Sequence, residues 1–133
     1  MFLFDTNIFL EILLNQKQAL ACKNALEKVN RDNPGCVASF SIHAIEAIIG
    51  GAKKFKLLTD FLESLEQHPL LECYVTTLQE ECEISRLAPK LGLDFDDALQ
   101  YYIARKREMT LVTLDHDFKK IKDITVVAPS EIE

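Results

Sequence analysis

Two short apolar runs that each stop at a carboxylate constrain this chain more than any other feature. Met1 to Phe4 is apolar and ends at Asp5, and Thr110 to Leu114 ends at Asp115. Cys36 to Phe40 and Ile124 to Val127 are runs of the same kind, and Leu71, Cys73 and Val75 alternate with polar residues. Segments this short and this apolar read as strands. Between them the spacing of apolar residues turns helical. Thr6 or Asn7 can cap a helix with Ile8, Phe9, Ile12 and Leu13 on one face. A second helix is predicted from Gln16 to Asn30, with Leu20, Cys22, Ala25, Leu26 and Val29 buried, and Asn33-Pro34-Gly35 breaks it. Ser41 to Ile49 and Lys53 to Gln67 follow, the latter burying Phe55, Leu58, Phe61, Leu62 and Leu65. Thr77 and Glu80 match a capping box that opens a helix to Leu91, with Gly92 suited to its end. Asp94 caps a last helix from Phe95 to Lys106, and Phe118 to Ile121 forms a helical turn. Strands alternating with helices predict an α/β fold, a three-layer α/β/α sandwich around a central parallel sheet of four to five strands.

The 133 residues fit one domain, 1–133, which is large enough to fold without a disulfide or structural metal. Fifteen basic against twenty-one acidic residues leave a net charge of −6. That balance argues against a protein that coats nucleic acid, but not against an enzyme acting on it, because a metal site needs clustered carboxylates. Cys22, Cys36, Cys73 and Cys82 include no Cys-x-x-Cys pair, so zinc is not indicated and reduced, mostly buried thiols are expected. The apolar run Ile8 to Leu14 is interrupted by Glu11 and falls well short of the roughly 18 residues of a membrane span. No basic stretch precedes an apolar one at the start, so a cytoplasmic protein is expected.

In parallel α/β sheets the ligand crevice lies beyond the carboxyl ends of the strands, where strand order reverses. Asp5 and Asp115 follow strands directly. Glu46, five residues past Ser41, and Asp97, in the first turn of its helix, are set among apolar neighbours on helices beside that end. Carboxylates converging on a buried face repel one another unless a cation joins them, and all-oxygen donors suit Mg²⁺ or Mn²⁺. Each acid also has an ordinary reading: Asp5 and Asp94 as helix caps, Glu46 as a solvated residue, Asp97 as the partner acid of a cap, Asp115 and Asp117 as turn residues. Asp94 and Asp97 share a helical face, whereas Asp96 lies about 100° away and is expected in solvent. His43 and Glu46 stand three apart on one helix, but no second such pair exists to make a di-iron site. His116, between two acids, reads as a surface histidine.

Asp5-Thr6-Asn7, the spacing of Ser41 to Glu46, Asp97-Ala98, and Thr113-Leu114-Asp115-His116-Asp117-Phe118 together resemble the successive motifs of a PIN domain. Size and element order resemble the toxins of VapBC toxin–antitoxin systems. The resemblance implies a sheet in the order 3-2-1-4-5 and a Mg²⁺- or Mn²⁺-dependent endoribonuclease that leaves a 5′-phosphate. It carries the catalytic, metal-holding role onto Asp5, Glu46, Asp97 and Asp115, an additional acid onto Asp117, and supporting polar roles onto Thr6, Asn7 and Thr113. It also implies an RNA substrate, an antitoxin partner and a homodimer.

Positive charge collects at Lys53, Lys54 and Lys56, at Arg105 to Arg107, and at Lys119, Lys120 and Lys122. These read as solvated helix ends or as a rim of phosphate contacts. The stripe from Phe55 to Leu65 reads as core, or as a face for a partner or second copy. The competing function is a catalytically silent module of the same fold that binds RNA or a basic protein through its acidic crevice.

Overall fold

The computed structural model describes residues 1–132. Five strands, β1 (Phe2–Phe4), β2 (Gly35–Ala38), β3 (Leu71–Tyr74), β4 (Thr110–Val112) and β5 (Val126–Val127), form one sheet in the order β3-β2-β1-β4-β5. Every neighbouring pair is parallel. Six helices connect them: α1 (Thr6–Leu13), α2 (Ala19–Glu27), α3 (Ser39–Gly51), α4 (Phe55–Gln67), α5 (Leu78–Leu91) and α6 (Phe95–Lys106). Two short 3₁₀ turns, His116–Lys120 and Pro129–Glu131, follow β4 and β5. None of the described helices is long and apolar enough to cross a membrane.

Side chains alternate across a strand. Leu3, Cys36 and Leu111 therefore face one layer, where they pack with Ile84 of α5 and Leu99 and Ile103 of α6. Phe4, Val37 and Val112 face the other, with Ile8 and Phe9 of α1, Ile45 and Ile49 of α3 and Phe61 of α4. The central strands β1, β2 and β4 are buried on both faces, which is why they read as continuous apolar runs, whereas the edge strand β3 exposes Glu72 and Cys73. Gly35 is needed here for packing: a Cβ would lie 2.8 Å from the Leu71 side chain and 3.1 Å from those of Phe4 and Val29.

The capping box of Thr77 and Glu80 forms as expected, and Gly92 ends α5 at φ 66°. Elsewhere the expectations need correction. Asp5 caps α1, as one of its two readings has it, and Thr6 and Asn7 lie inside the helix instead of capping it. The second helix begins only at Ala19, and Leu20 is 70 % exposed. Cys22 and Ala25 face inward, and a residue two before Cys22 sits about 200° around the helix from it. Phe55 opens α4 and is 60 % exposed, while Val75 lies past the end of β3 and is 70 % exposed. Ser39 and Phe40 belong to α3 rather than to β2, and β4 stops at Val112. All four cysteines are free, Cys22 and Cys36 buried but Cys73 and Cys82 exposed.

From β1 the chain adds β2 and β3 on one side, then returns to place β4 on the other. The reversal falls between β1 and β4, whose carboxyl ends carry Asp5 and Asp115.

Candidate functional site

Asp5 leaves β1 at that crevice and is buried, 6 % exposed. The start of α1 fixes one of its oxygens, since the Thr6 amide donates to Asp5 Oδ1 at 2.7 Å. The end of β4 fixes the other, since Thr113 Oγ1 donates to Asp5 Oδ2 at 2.6 Å. The Asp115 amide donates back to Thr113 Oγ1 at 3.0 Å. Asn7 Oδ1 accepts the Leu114 amide at 3.3 Å, and Asn7 Nδ2 donates to Asp5 Oδ2 at 3.4 Å. Thr113 and Asn7 thus tie the two strand ends together around one carboxylate.

α6 runs toward the start of β4, so its first turn reaches the same edge. There Asp97, Asp115 and Asp117 offer carboxylate oxygens that all lie within 4.8 Å of one another. Asp115 caps its 3₁₀ turn by accepting the Asp117 amide at 2.8 Å, and this turn brings Asp117 to the group. Asp94, Asp96 and Asp97 form a second close group at the helix N-terminus. Asp94 holds the cap position of α6 without a side-chain capping bond, and Asp96 is exposed yet sits beside Asp97. The helix dipole favours acids at this end.

Burial, then the neighbouring Asp96, Asp115, Asp5 and Asp117, push the Asp97 carboxyl up to about 7. Burial likewise raises Asp5, against the opposing bonds from Thr113 and Thr6, and Asp115 and Asp96 add to the rise. Buried carboxylates crowded in this way resist ionisation together, and a divalent cation relieves both terms at once. The donors are all carboxylate oxygens, which fits a hard ion such as Mg²⁺ or Mn²⁺.

A hydroxyl chain braces the site from behind. Ser41 is fully buried at the start of α3; its Oγ accepts from Thr6 Oγ1 at 2.8 Å and from Gln100 Nε2 at 2.9 Å. It links α1, which follows Asp5, to α6, one turn beyond Asp97. Gln100 Oε1 is buried and has no hydrogen-bond partner among the described residues. The motifs of the sequence do not point to Gln100; its one signal there is a polar amide set among Ala98, Leu99, Ile103 and Ala104. Glu46 is half-buried midway along α3 and belongs to neither close acid group. His43 and His116 are exposed.

The PIN domain family matches residues 2–124. No curated protein matches the chain in sequence. Among solved structures, a toxin–antitoxin complex from Klebsiella pneumoniae is similar at 25 % identity and a TM-score of 0.73, over 99 % of this chain and 100 % of that one. VapBC2 from Rickettsia felis, bound to a DNA fragment from their promoter, is similar in fold at 20 % identity and a TM-score of 0.74, over 96 % and 97 %. FitAcB from Neisseria gonorrhoeae is similar in fold at 18 % identity and a TM-score of 0.71, over 99 % and 100 %. With a match across nearly the whole sequence, the sheet order 3-2-1-4-5, and an acidic edge where that order reverses, the chain belongs to the PIN domain family.

Proposed function

We propose that this chain is a divalent-metal-dependent endoribonuclease, the toxin of a type II toxin–antitoxin pair, acting on RNA in the cytoplasm. The observation that carries the reading is the group Asp97, Asp115 and Asp117 beside buried Asp5, at the reversal of strand order. Asp97, Asp115 and Asp117 would hold Mg²⁺ or Mn²⁺, with Asp5 facing them from β1 and Glu46 serving a second position. Such an ion, when bound, offsets the charge of a phosphodiester and activates water for in-line attack. Thr113, Thr6 and Asn7 keep the Asp5 oxygens aimed, which preserves affinity and activity in metal sites of this kind.

The toxin–antitoxin complexes among the similar structures support an antitoxin partner. An apolar groove of about 350 Å³, lined by Phe9, Ile12 and Leu13 of α1, Leu26 of α2 and Leu57 and Leu65 of α4, is where we place its helix. A homodimer belongs to the same reading.

The test is cleavage of RNA oligonucleotides in Mn²⁺ and in EDTA by the wild type, Asp5→Asn and Asp97→Asn. The reading expects Mn²⁺-dependent cleavage by the wild type alone. A folded wild type that binds RNA and Mn²⁺ but never cuts would favour the silent module instead.

A further inference from the structure

We infer that a single RNA strand leaves the acid centre along a groove between the turn after β4 and the segment around β5, with its phosphates on Lys119 and Lys122. The inference rests on the ribonuclease reading and adds to it the path that the substrate takes.

The groove encloses about 730 Å³, and Thr113 and Asp115 stand in its wall, so it is continuous with the acid centre. Its volume lies in the range of ligand sites. Its lining is mixed, with Leu114, Ile124, Val126 and Val127 supplying apolar contact among polar side chains. The rim is cationic at Lys119 and Lys122. Apolar side chains and lysines lining one groove match a single strand, whose bases seek apolar or aromatic contact while its phosphates seek lysines.

Among the described residues Lys53 and Lys54 form no ion pair, but they do not line this groove; of the remaining clustered charges most are engaged. Arg105 pairs with Asp123, Lys106 with Glu80 and Arg107 with Glu72, while Lys56 pairs with Asp60. Lys120 turns the other way and donates to the Gly92 carbonyl. Among the described residues Lys119 and Lys122 form no ion pair. Lys122 Nζ donates to the Lys119 carbonyl at 3.0 Å, which holds it close to the rim. The groove also holds the carboxylates of Glu11, Asp115 and Glu131; Glu11 and Glu131 keep their charge but are turned to backbone amides, accepting from Gln18 at 2.7 Å and from Ala128 at 3.0 Å. The structure thus separates the third basic cluster of the sequence into two groove lysines and one structural lysine.

The experiment measures binding of a fluorescein-labelled 12-nucleotide single-stranded RNA by anisotropy in Mg²⁺, using full-length Asp97→Asn to prevent cleavage. In that background Lys119→Glu with Lys122→Glu is expected to weaken binding at least about tenfold and to flatten the slope of log affinity against log salt by about 1.4, two phosphate contacts at about 0.7 each. Lys53→Glu with Lys54→Glu is the matched charge control and should not lower affinity more than about threefold at ~150 mM salt. Circular dichroism confirms that the variants fold. Equal loss in both pairs, no loss in the groove pair, or tighter binding of a duplex of the same length overturns the groove but leaves the ribonuclease reading standing. No RNA binding by the Asp97→Asn chain, together with no cleavage by the wild type, overturns that reading and the groove with it.

Discussion

Asp97 and Asp115 hold carboxylate oxygens within 4.8 Å of each other, although one stands in the first turn of α6 and the other beyond the end of β4. Asp5 reaches the same edge from β1 and is buried there. Three elements therefore spend folding energy to bring like charges together, which a globular domain has no structural reason to do.

The pH dependence of stability follows from that crowding. The folded chain holds the Asp97 proton up to about 7, while the unfolded chain releases it near 3.8. The stability contributed by the neutral carboxyl is present below about 4 and is lost as pH rises to about 7. In EDTA, the stability of the wild type minus that of Asp97→Asn should fall by a few kcal/mol across this window and level off above it. Denaturant unfolding at several pH values measures it, and a flat difference would contradict it.

Divalent ions should reverse the effect. Mn²⁺ at about a hundred times its dissociation constant is expected to raise wild-type stability by about 2.7 kcal/mol at neutral pH. Asp97→Asn should gain far less. Thermal melts with and without Mn²⁺ give the comparison.

Thr113 is the hinge between the two strand-end acids, donating to Asp5 and accepting from the Asp115 amide. Thr113→Val keeps the shape and removes both bonds. Metal affinity or cleavage should drop about 10- to 100-fold, with Thr113→Ser restoring most of it. Equal activity in the Val variant would remove Thr113 from the site.

Glu46 stands apart from the close acid groups. Glu46→Gln should therefore leave the tightest Mn²⁺ affinity within a few-fold of wild type while cleavage falls by at least about tenfold, as for loss of a second metal position. Calorimetry and single-turnover cleavage separate the two. Loss of the first ion would place Glu46 inside the primary site.

Behind the acids, Ser41 receives bonds from both Thr6 and Gln100. Ser41→Ala leaves the buried Gln100 amide and the half-buried Thr6 hydroxyl without this acceptor and should cost about 1–3 kcal/mol. Adding Gln100→Leu should cost less than the two changes measured separately, because they share one bond. Strict additivity would mean that the chain through Ser41 carries no coupling.

The sheet is legible because its central strands are buried on both faces and stand out as apolar runs between helical patterns, while the partly exposed β3 shows only as an alternation. The crevice was legible because Asp5 and Asp115 end such runs. What the pattern blurred was local. Leu20 and Cys22 were placed on one stripe although the helical step sets them about 200° apart, and Phe55 lies where α4 has only begun. Gly35 reads as a turn residue from its neighbour Pro34, whereas contact with Leu71, far along the chain, is what excludes a side chain there. Gln100 was hidden for a related reason: its partner Ser41 is distant in sequence, and only the folded chain joins them. Helical geometry puts Asp96 in solvent, and it is exposed, but the first turn of α6 still sets it close to Asp97.

Titration calorimetry of Mn²⁺ into the metal-free wild type and into Asp97→Asn, in the presence of a non-cleavable RNA analogue, addresses the ion-holding role of these acids without intermediaries. Saturable uptake by the wild type, lost in Asp97→Asn while its fold is retained, is the predicted result. No uptake by the wild type, or equal uptake by both proteins, would contradict the account.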